Sequence, residues 1–253
     1  MINSNTKIVI LAGGKGKRFN PFSFVIPKPL MPINQNPILM YLINAFKKNN
    51  FKNFFISTGY QAELIKAYLG TGKKLGIKIK YFNENKPLGT AGPLKKIKEI
   101  IKKNDYFFLI NGDVYTELNF KKMMTFAKKN NFDLVIGYIK KKYKNSFGVL
   151  DIKNNNVKSI TEKPNSLFNI SSGIYLIKNT KSLNLIPKNK FFTMPNLIEK
   201  YLSKGLSVGA YNIRDYWLGI ENVENLKKVE KRLKNKKTKQ NGWEKNSHCN
   251  TNL

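Results

Sequence analysis

Apolar runs and segments with apolar residues at helical spacing alternate along the first half of the chain. Three apolar runs of strand length occupy residues Lys7–Ala12, Asn53–Gly59 and Asp105–Asp113, and Ile77–Glu84 is also predicted to be a strand. Helical spacing marks Pro37–Asn49, Gln61–Gly70, Ala91–Lys103 and Asn119–Lys129. Apolar runs of this kind are typical of strands that are buried on both faces. The alternation predicts a parallel sheet covered by helices, with ligands at the carboxyl ends of its strands.

The pattern changes after residue 130, where short strands follow one another closely. They are predicted at 133–141, 147–153, 157–164 and 170–178, and turns such as Lys153–Asn156 indicate antiparallel pairing for several of them. A helix at Met194–Lys204, strands at Ser207–Ile213 and "YWLGI", and a helix at Val223–Leu233 follow. We predict the α/β class, with a Rossmann-like, doubly wound mixed sheet in a single domain over residues 1–233. Residues 234–253 lack an apolar period and are predicted to be a disordered basic tail.

The composition is that of a globular protein. The 253 residues are 41% hydrophobic and 12% aromatic, which is enough for a sizeable core. No apolar run is long enough to span a bilayer, and the first seven residues are too polar for a signal peptide, so we expect a cytoplasmic protein without a membrane partner. Cys249 and His248 are the only cysteine and histidine. A cysteine/histidine metal cluster and a histidine base in the body of the chain are therefore excluded.

The formal net charge of +31 raises the question of a nucleic-acid partner, because a basic surface is the electrostatic signature of phosphate-backbone binding. Three of the 46 basic residues are arginines, and the lysines are spread over nearly every predicted helix. On a surface that had evolved to bind RNA, basic residues would be clustered, and arginine or exposed aromatic side chains would be expected among them. We expect a solvated surface and no nucleic-acid partner.

A glycine-rich, basic stretch follows the first predicted strand. Gly13, Gly14 and Gly16 can bring backbone amides close to phosphate oxygens because no Cβ intervenes. Positive charge comes from Lys15, Lys17 and Arg18. The prolines of "PKPL" hold Lys28 on a stiff segment shortly afterwards. This stretch predicts a polyphosphate site, although GGxGxR taken alone also occurs in plain turns.

Several motifs in a fixed order carry a family resemblance. In chain order they are "LAGGKGKRF", "PKPLMPI", "KPLGTAGPL", "NGDV", "FGVL", "TEKP" and "SSGIYLI". Together they resemble the sugar-1-phosphate nucleotidyltransferase family over Ile8–Leu233. The short form, with "MPNLIEK" and a tryptophan in the last strand, is most similar to guanylyltransferases that act on mannose-1-phosphate or heptose-1-phosphate in surface-glycan pathways.

The resemblance implies a nucleotide-diphospho-sugar transferase fold and its reaction. A sugar-phosphate oxygen attacks the α-phosphorus of a nucleoside triphosphate, giving a nucleotide sugar and pyrophosphate. Such a transfer depends on alignment and charge neutralisation, not on a covalent intermediate. The implied cofactor is Mg²⁺, and the implied partners are an NTP, with GTP favoured, and a sugar-1-phosphate. Residues 1–130 are then the nucleotide-binding half and residues 131–233 the antiparallel, sugar-binding half.

The matching motifs also imply the residues of the site. The implied catalytic residues are Arg18, Lys28, Asp113 and Lys163, with Asp113 as the metal ligand at a strand end. The implied nucleotide-binding residues are Leu11, Ala12, Gly13, Gly14, Gly16, Glu84, Pro87, Gly89, Thr90 and Asn111. The implied sugar-binding residues are Gly148, Glu162, Lys163, Ser172 and Gly173.

One position departs from the family pattern. Where relatives read W-x-D-I-G, this chain reads "WLGIE", so that Gly219 stands in place of the second metal-binding aspartate. Glu221 lies two residues further on the same face of a strand and is the candidate replacement as a metal ligand. Three outcomes stay open from the sequence: rescue by Glu221, weaker catalysis with Asp113 alone, or loss of turnover.

Three functions therefore remain in contention. The leading one is an enzyme that makes nucleotide sugars. The second is a nucleotide-sugar-binding protein whose catalysis is impaired or lost through Gly219. The third is a basic RNA-associated protein, which the net charge alone supports. The base, the sugar and the choice between a monomer and a homo-oligomer are left open.

Overall fold

The computed structural model of the chain describes residues 5–98 and 100–247. Its strands are β1 (Lys7–Ala12), β2 (Pro32–Ile33), β3 (Asn36–Pro37), β4 (Asn53–Thr58), β5 (Lys78–Asn83), β6 (Tyr106–Asn111), β7 (Val114–Thr116), β8 (Leu134–Lys144), β9 (Val149–Lys153), β10 (Asn156–Thr161), β11 (Asn165–Lys178), β12 (Val208–Asn212) and β13 (Trp217–Gly219). Its α-helices are α1 (Ile38–Lys47), α2 (Ala62–Leu69), α3 (Leu94–Ile97), α4 (Phe120–Lys129), α5 (Met194–Ser203) and α6 (Val223–Ser247).

A seven-stranded mixed sheet forms the centre of the molecule, in the order β12-β8-β11-β6-β1-β4-β5. The strands β6, β1, β4 and β5 are parallel, whereas β11 runs antiparallel to both β6 and β8. The predicted α/β class with a doubly wound mixed sheet is confirmed. The predicted antiparallel pairing in the second half is also found, between β8 and β11 and between β9 and β10.

Alternate residues of the central strands face two separate hydrophobic cores. In β1, Ile8 and Ile10 face the core that contains α1, α2 and α4, whereas Val9 faces the core that contains α3 and α5. Phe46 of α1 lies at the centre of the first core and stacks on Phe120 with ring centroids 3.7 Å apart. Burial on both faces explains why these strands read as continuous apolar runs in the sequence.

The described helices include none that combines the length and the apolar composition of a membrane span.

An arm built from four strands extends from the predicted sugar-binding half. The strands β8 and β11 extend well beyond their predicted ends, and β9 and β10 form a hairpin between them. Asn154 and Asn155 turn the hairpin with φ angles of 50° and 63°, a conformation that asparagine tolerates better than most residues. The predicted turn at Lys153–Asn156 is therefore confirmed.

The predicted helix at Ala91–Lys103 is wrong in its extent, since α3 covers only Leu94–Ile97. A tertiary contact accounts for the difference. The buried Asn179 donates from its amide nitrogen to the carbonyl oxygens of Lys98, Ile101 and Lys102, at 3.2, 2.5 and 3.3 Å. A continuing helix would use such carbonyls for its own amides, so a residue eighty positions away replaces the helical bonds.

The last helix extends past residue 233, where the sequence predicts that the domain ends. Residues 234–247 are helical and belong to α6, whereas residues 248–253, including His248 and Cys249, lie outside the described residues. Glu117, next to β7, ties α6 to the body of the chain. It accepts hydrogen bonds from Arg232 at 2.9 and 3.1 Å, and Lys236 lies 2.8 Å from the same carboxylate.

The carboxyl group of Glu117 titrates abnormally because of these partners. Burial acts to raise its pKa, but the hydrogen bonds from Arg232 and Lys236 and their charges act in the opposite direction and lower it. A carboxylate whose pKa is lower in the folded state adds stability above its unfolded pKa, and this stability is lost as the pH falls through the folded pKa.

We expect Glu117→Gln to lower the free energy of unfolding by about 1 kcal/mol at pH 7, which is about 2–4 °C in Tm. The gap between the wild type and the variant should close as the pH falls into the acidic range where Glu117 is protonated in both states. Thermal melts at pH 7 and at acidic pH measure this. Glu63→Gln removes the exposed pair with Lys66 and should leave Tm nearly unchanged. A Tm difference between the wild type and Glu117→Gln that is the same at every pH would contradict the lowered pKa of Glu117.

Candidate active site

The carboxyl ends of the four parallel strands converge on one edge of the sheet. β1 leads into the glycine loop, β4 into Gly59, β5 into Glu84, and β6 into Asp113. Since β4 and β6 flank β1 on opposite sides, the crevice between β1 and β6 is the switch point where such sheets bind ligands. A cavity of about 660 Å³ opens there, and all ten residues predicted to bind nucleotide line it.

The glycine loop is shaped by contacts that leave no room for side chains. A Cβ on Gly59 would lie 2.9 Å from the carbonyl oxygen of Gly13, so the two loops pack backbone to backbone. Gly16 has a φ of 61°, and a Cβ there would lie 2.8 Å from the Cβ of Lys28. Gly14 differs, because a Cβ on it would meet no atom within 4 Å. The bare backbone of Gly14 therefore faces the open cavity.

Two ion pairs bring the predicted catalytic residues of the nucleotide half together. Lys28 Nζ lies 2.5 Å from Asp113 Oδ2, and both side chains are largely buried, at 15% and 34% exposure. Arg18 Nη1 lies 2.6 Å from Glu221 Oε2 in a more exposed pair, at 71% and 63%. Arg18, Lys28 and Asp113 line one depression that adjoins the cavity. Positions 95 residues apart along the chain thus meet at the end of the glycine loop.

The segment "PLGTAG" forms the opposite wall of the cavity. Gly89 has a φ of 75°, and a Cβ there would lie 2.6 Å from the carbonyl oxygen of Phe192, so only glycine fits. Thr90 accepts a hydrogen bond from the backbone amide of Met194 at 2.7 Å. This bond anchors the loop to the start of α5, and the hydroxyl hydrogen of Thr90 is left to act as a donor.

Glu84 connects the two walls. Its Oε1 accepts a hydrogen bond from Ser57 at 2.6 Å, and its Oε2 accepts one from the backbone amide of Leu88 at 3.2 Å. A Cβ on Gly13 would also lie 3.2 Å from Oε1. The carboxylate therefore fixes the glycine loop, the end of β4 and the "PLGTAG" loop relative to one another.

The predicted sugar-binding residues fall into two groups. Gly173, with a φ of 70°, packs against Asn111, and a Cβ there would lie 2.6 Å from Asn111 Nδ2. Its neighbour Ser172 is buried and donates to the carbonyl oxygen of Gly137 at 2.7 Å. The hydroxyl of Ser172 therefore makes a structural hydrogen bond within the protein. The remaining three residues, Gly148, Glu162 and Lys163, lie together on the arm. None of the five is among the residues that line the cavity.

The position of the missing aspartate lies beside Asp113. Gly219 pairs with Val114 across β13 and β7, and the next amide, of Ile220, donates to the carbonyl oxygen of Asp113 at 2.8 Å. A Cβ on Gly219 would meet only the ring of Trp217, at 3.3 and 3.6 Å. Among the described residues no three acidic, histidine or cysteine side chains come close enough to hold a metal ion, and Glu221 is directed to Arg18.

Several cavity residues are not recovered by the sequence motifs. They include Tyr60, Asn85 and Phe191, while Lys15 and Lys86 lie inside quoted motifs but were not assigned to the nucleotide. Tyr60 and Asn85 each lie one or two residues past the end of a strand region, so proximity to a strand end could have indicated them. Phe191 belongs to a loop before α5, about 100 residues after the "PLGTAG" motif with which it lines the cavity. No local pattern marks it.

We expect Gly16→Ala to destabilise the protein by about 1–2 kcal/mol, because alanine is strained at this φ and its Cβ would collide with Lys28. That corresponds to a fall in Tm of about 2–8 °C. Gly14→Ala is the matched control and should change stability by no more than about 0.5 kcal/mol, since its φ is unstrained and its Cβ meets open space. Equal Tm values for the two variants would show that the loop is not held as described.

Known proteins resemble this chain in sequence and in fold. A mannose-1-phosphate guanyltransferase from Yarrowia lipolytica is 31% identical over 224 residues, which are 85% of this chain and 60% of that protein. The crystal structure of HddC from Yersinia pseudotuberculosis is 29% identical, with a TM-score of 0.70, and covers 90% of this chain and 99% of HddC. The HddC structure complexed with GMP-PN is 28% identical, again with a TM-score of 0.70. The chain spans about 60% of the length of the curated relatives it matches.

The family profile described as nucleotidyl transferase matches residues 7–236. This range contains the whole central sheet and every residue that lines the cavity. The chain therefore belongs to the nucleotidyl transferase family.

Proposed function

We propose that the chain transfers a nucleotidyl group from a nucleoside triphosphate, with GTP favoured, to a sugar-1-phosphate and releases pyrophosphate. One observation carries the proposal. All ten residues implied to bind nucleotide line one cavity together with Lys28 and Asp113. The names of the similar proteins support the class of substrate, since they include mannose-1-phosphate guanyltransferases and an HddC complex with GMP-PN.

The glycine loop would bind the phosphates. Gly14 exposes its backbone to the cavity, so phosphate oxygens can approach its amide closely. Lys28 and Arg18 stand at the end of the loop, each paired with a carboxylate. A triphosphate that enters would take over these cations as partners, which neutralises its charge and aligns it.

The reaction itself needs no base from the protein. A phosphate oxygen of the sugar-1-phosphate forms a bond to the α-phosphorus, and the bond between the α-phosphorus and the bridging oxygen breaks with release of pyrophosphate. Because the attacking phosphate oxygen is already anionic, the step requires positioning and charge neutralisation. Lys28, half enclosed beside the loop, is the residue best placed to stabilise the charge near the α-phosphate.

Magnesium is part of the proposal, and Asp113 would hold it. Mg²⁺ is commonly held by one or two carboxylates together with substrate phosphates, so a single carboxylate at the phosphate end of the cavity suits it. When bound, the ion would neutralise charge on the phosphates and orient them. Gly219 leaves Asp113 without the second family carboxylate, and Glu221 would reach the ion only if a phosphate first took Arg18 as its partner.

The sugar-binding residues, the biological role and the division of the chain into halves are also part of the proposal. Contact of Gly148, Glu162 and Lys163 with the sugar would require the arm to approach the cavity, which these residues do not line. The role in surface glycans and the cytoplasmic location rest on the resemblance and the sequence alone, and the proposal names no particular sugar or oligomeric state. The division into a nucleotide half at 1–130 and a sugar half at 131–233 is likewise proposed.

A second function, nucleotide-sugar binding with little or no turnover, is favoured by one observation. Gly219 lies next to Asp113 and leaves the second carboxylate of the family site absent. The glycine loop, Lys28 and Arg18 are still present, so a nucleotide could bind even without turnover. An RNA-associated role has no comparable support, since the net charge is its only argument.

Pyrophosphate release from each of the four NTPs, with mannose-1-phosphate and heptose-1-phosphate as acceptors, tests transfer directly. We expect Lys28→Ala to lower kcat/KM by about 10²–10³-fold, because it removes a fixed cation aimed at the developing charge. Lys122→Ala, on the exposed side of α4, is the matched control and should have no effect. Unchanged turnover in Lys28→Ala, or no turnover by the wild type at any Mg²⁺ or Mn²⁺ concentration, would contradict the transfer reaction.

Restoring the missing carboxylate separates the two functions. We expect Gly219→Asp to raise kcat by at least about tenfold and to lower the Mg²⁺ concentration required, because a second oxygen ligand would stand beside Asp113. Gly219→Ala controls for the contact with Trp217. If the wild type is inactive and only Gly219→Asp turns over, the chain is a binding protein. If Gly219→Asp gains nothing over Gly219→Ala, the second carboxylate is not what limits this site.

A further inference from the structure

Phe191 is a large apolar side chain that stands in water on the wall of the cavity. It is 66% exposed, whereas the adjacent Phe192 is 8% exposed and packs in the core below α5. The two neighbours therefore point in opposite directions. One fixes the segment to the protein, and the other presents an aromatic ring to the space that a ligand would occupy.

Hydrogen bonds hold the segment around Phe191 against the "PLGTAG" loop. They run from Phe192 N to Leu88 O at 2.9 Å, from Ala91 N and Gly92 N to Phe192 O at 2.9 and 3.0 Å, and from Met194 N to Thr90 Oγ1 at 2.7 Å. Gly89 packs so closely on Phe192 that a side chain is excluded. The backbone that carries Phe191 is thus held beside the loop.

A different part of the cavity suits phosphates. The glycine loop, Lys28 and Asp113 line it. A nucleotide whose phosphates lie there would extend its base toward the wall formed by "PLGTAG" and Phe191. The loop offers backbone groups that can bond to the edge of a base, and an exposed aromatic ring offers a surface for its face.

We infer that Phe191 stacks on the face of the nucleobase and favours purine over pyrimidine nucleotides in this chain. The inference rests on the proposed function, in that a nucleotide occupies the cavity. A two-ring base covers more of an exposed phenyl ring than a one-ring base does, so the stacking energy increases with the size of the base. Phe191 touches no reacting atom and is a specificity-determining residue, not a catalytic one.

Equilibrium binding without a sugar phosphate tests the inference independently of turnover. The affinities of GTP, CTP and inorganic tripolyphosphate are measured for the wild type, Phe191→Ala, Phe191→Leu and Phe191→Trp. We expect Phe191→Ala to weaken GTP about 5- to 150-fold, to weaken CTP less, and to leave tripolyphosphate unchanged. Phe191→Trp should retain the GTP affinity of the wild type, and GTP should quench the fluorescence of the new tryptophan. The GTP affinity of Phe191→Leu should lie between those of the wild type and Phe191→Ala.

Two further variants make the result decisive. Tyr68→Ala removes an exposed aromatic of α2 that does not line the cavity and should change nothing. Tyr60→Ala removes the other aromatic of the cavity. If Tyr60→Ala weakens GTP and Phe191→Ala does not, the base lies on Tyr60 and the inference is overturned. An equal loss of GTP and tripolyphosphate in Phe191→Ala would also overturn it, because the residue would then act on the shape of the cavity.

The proposed function and the inference can fail separately. A wild type that binds no nucleotide would overturn both. A wild type that binds GTP with an affinity that Phe191→Ala leaves within about twofold would overturn the inference alone. A strong effect of Phe191→Ala in a protein that shows no pyrophosphate release would support the inference while the transfer reaction fails.

Discussion

The contact between Lys28 and Asp113 is the interaction on which the rest of the site depends. It joins the segment after the glycine loop to the end of β6, and it does so across the switch point of the sheet. Both groups are largely removed from water, so each would be costly to leave unpaired. Gly16 packs on the stem of Lys28, and Ile220 bonds to the backbone of Asp113. The loop, the sheet and β13 are thereby held in one geometry around this pair.

The same pair suits a site for a polyanion under the proposed function. Lys28 has a carboxylate partner in the protein, a bound phosphate would replace that partner, and Asp113 would then become available to a cation. The exposed pair of Arg18 with Glu221 is weaker, because water screens it, and it can open at little cost. Under the proposed function, Lys28 would have an anionic partner both before and after a phosphate binds, and the exposed Arg18 would be free to change partner.

Local pattern predicted the elements that bury a continuous apolar face, such as β1, β6 and α4, because there the periodicity and the burial have the same cause. The motifs located the cavity because they lie at the ends of those strands. Long-range contacts escaped prediction. Asn179 truncates α3, Glu117 draws α6 beyond its predicted end, and Phe191 reaches the cavity from a loop without a motif. The sequence also could not show that Gly148, Glu162 and Lys163 lie together on an arm apart from the cavity.

The most direct measurement is a crystal structure of the chain with a non-hydrolysable GTP analogue and Mg²⁺. The account predicts phosphate density over the amide of Gly14, with Lys28 Nζ moved from Asp113 to a phosphate oxygen and Asp113 facing the metal ion. Phosphates bound elsewhere on the molecule, or a triphosphate in the cavity with Lys28 still paired to Asp113, would contradict it.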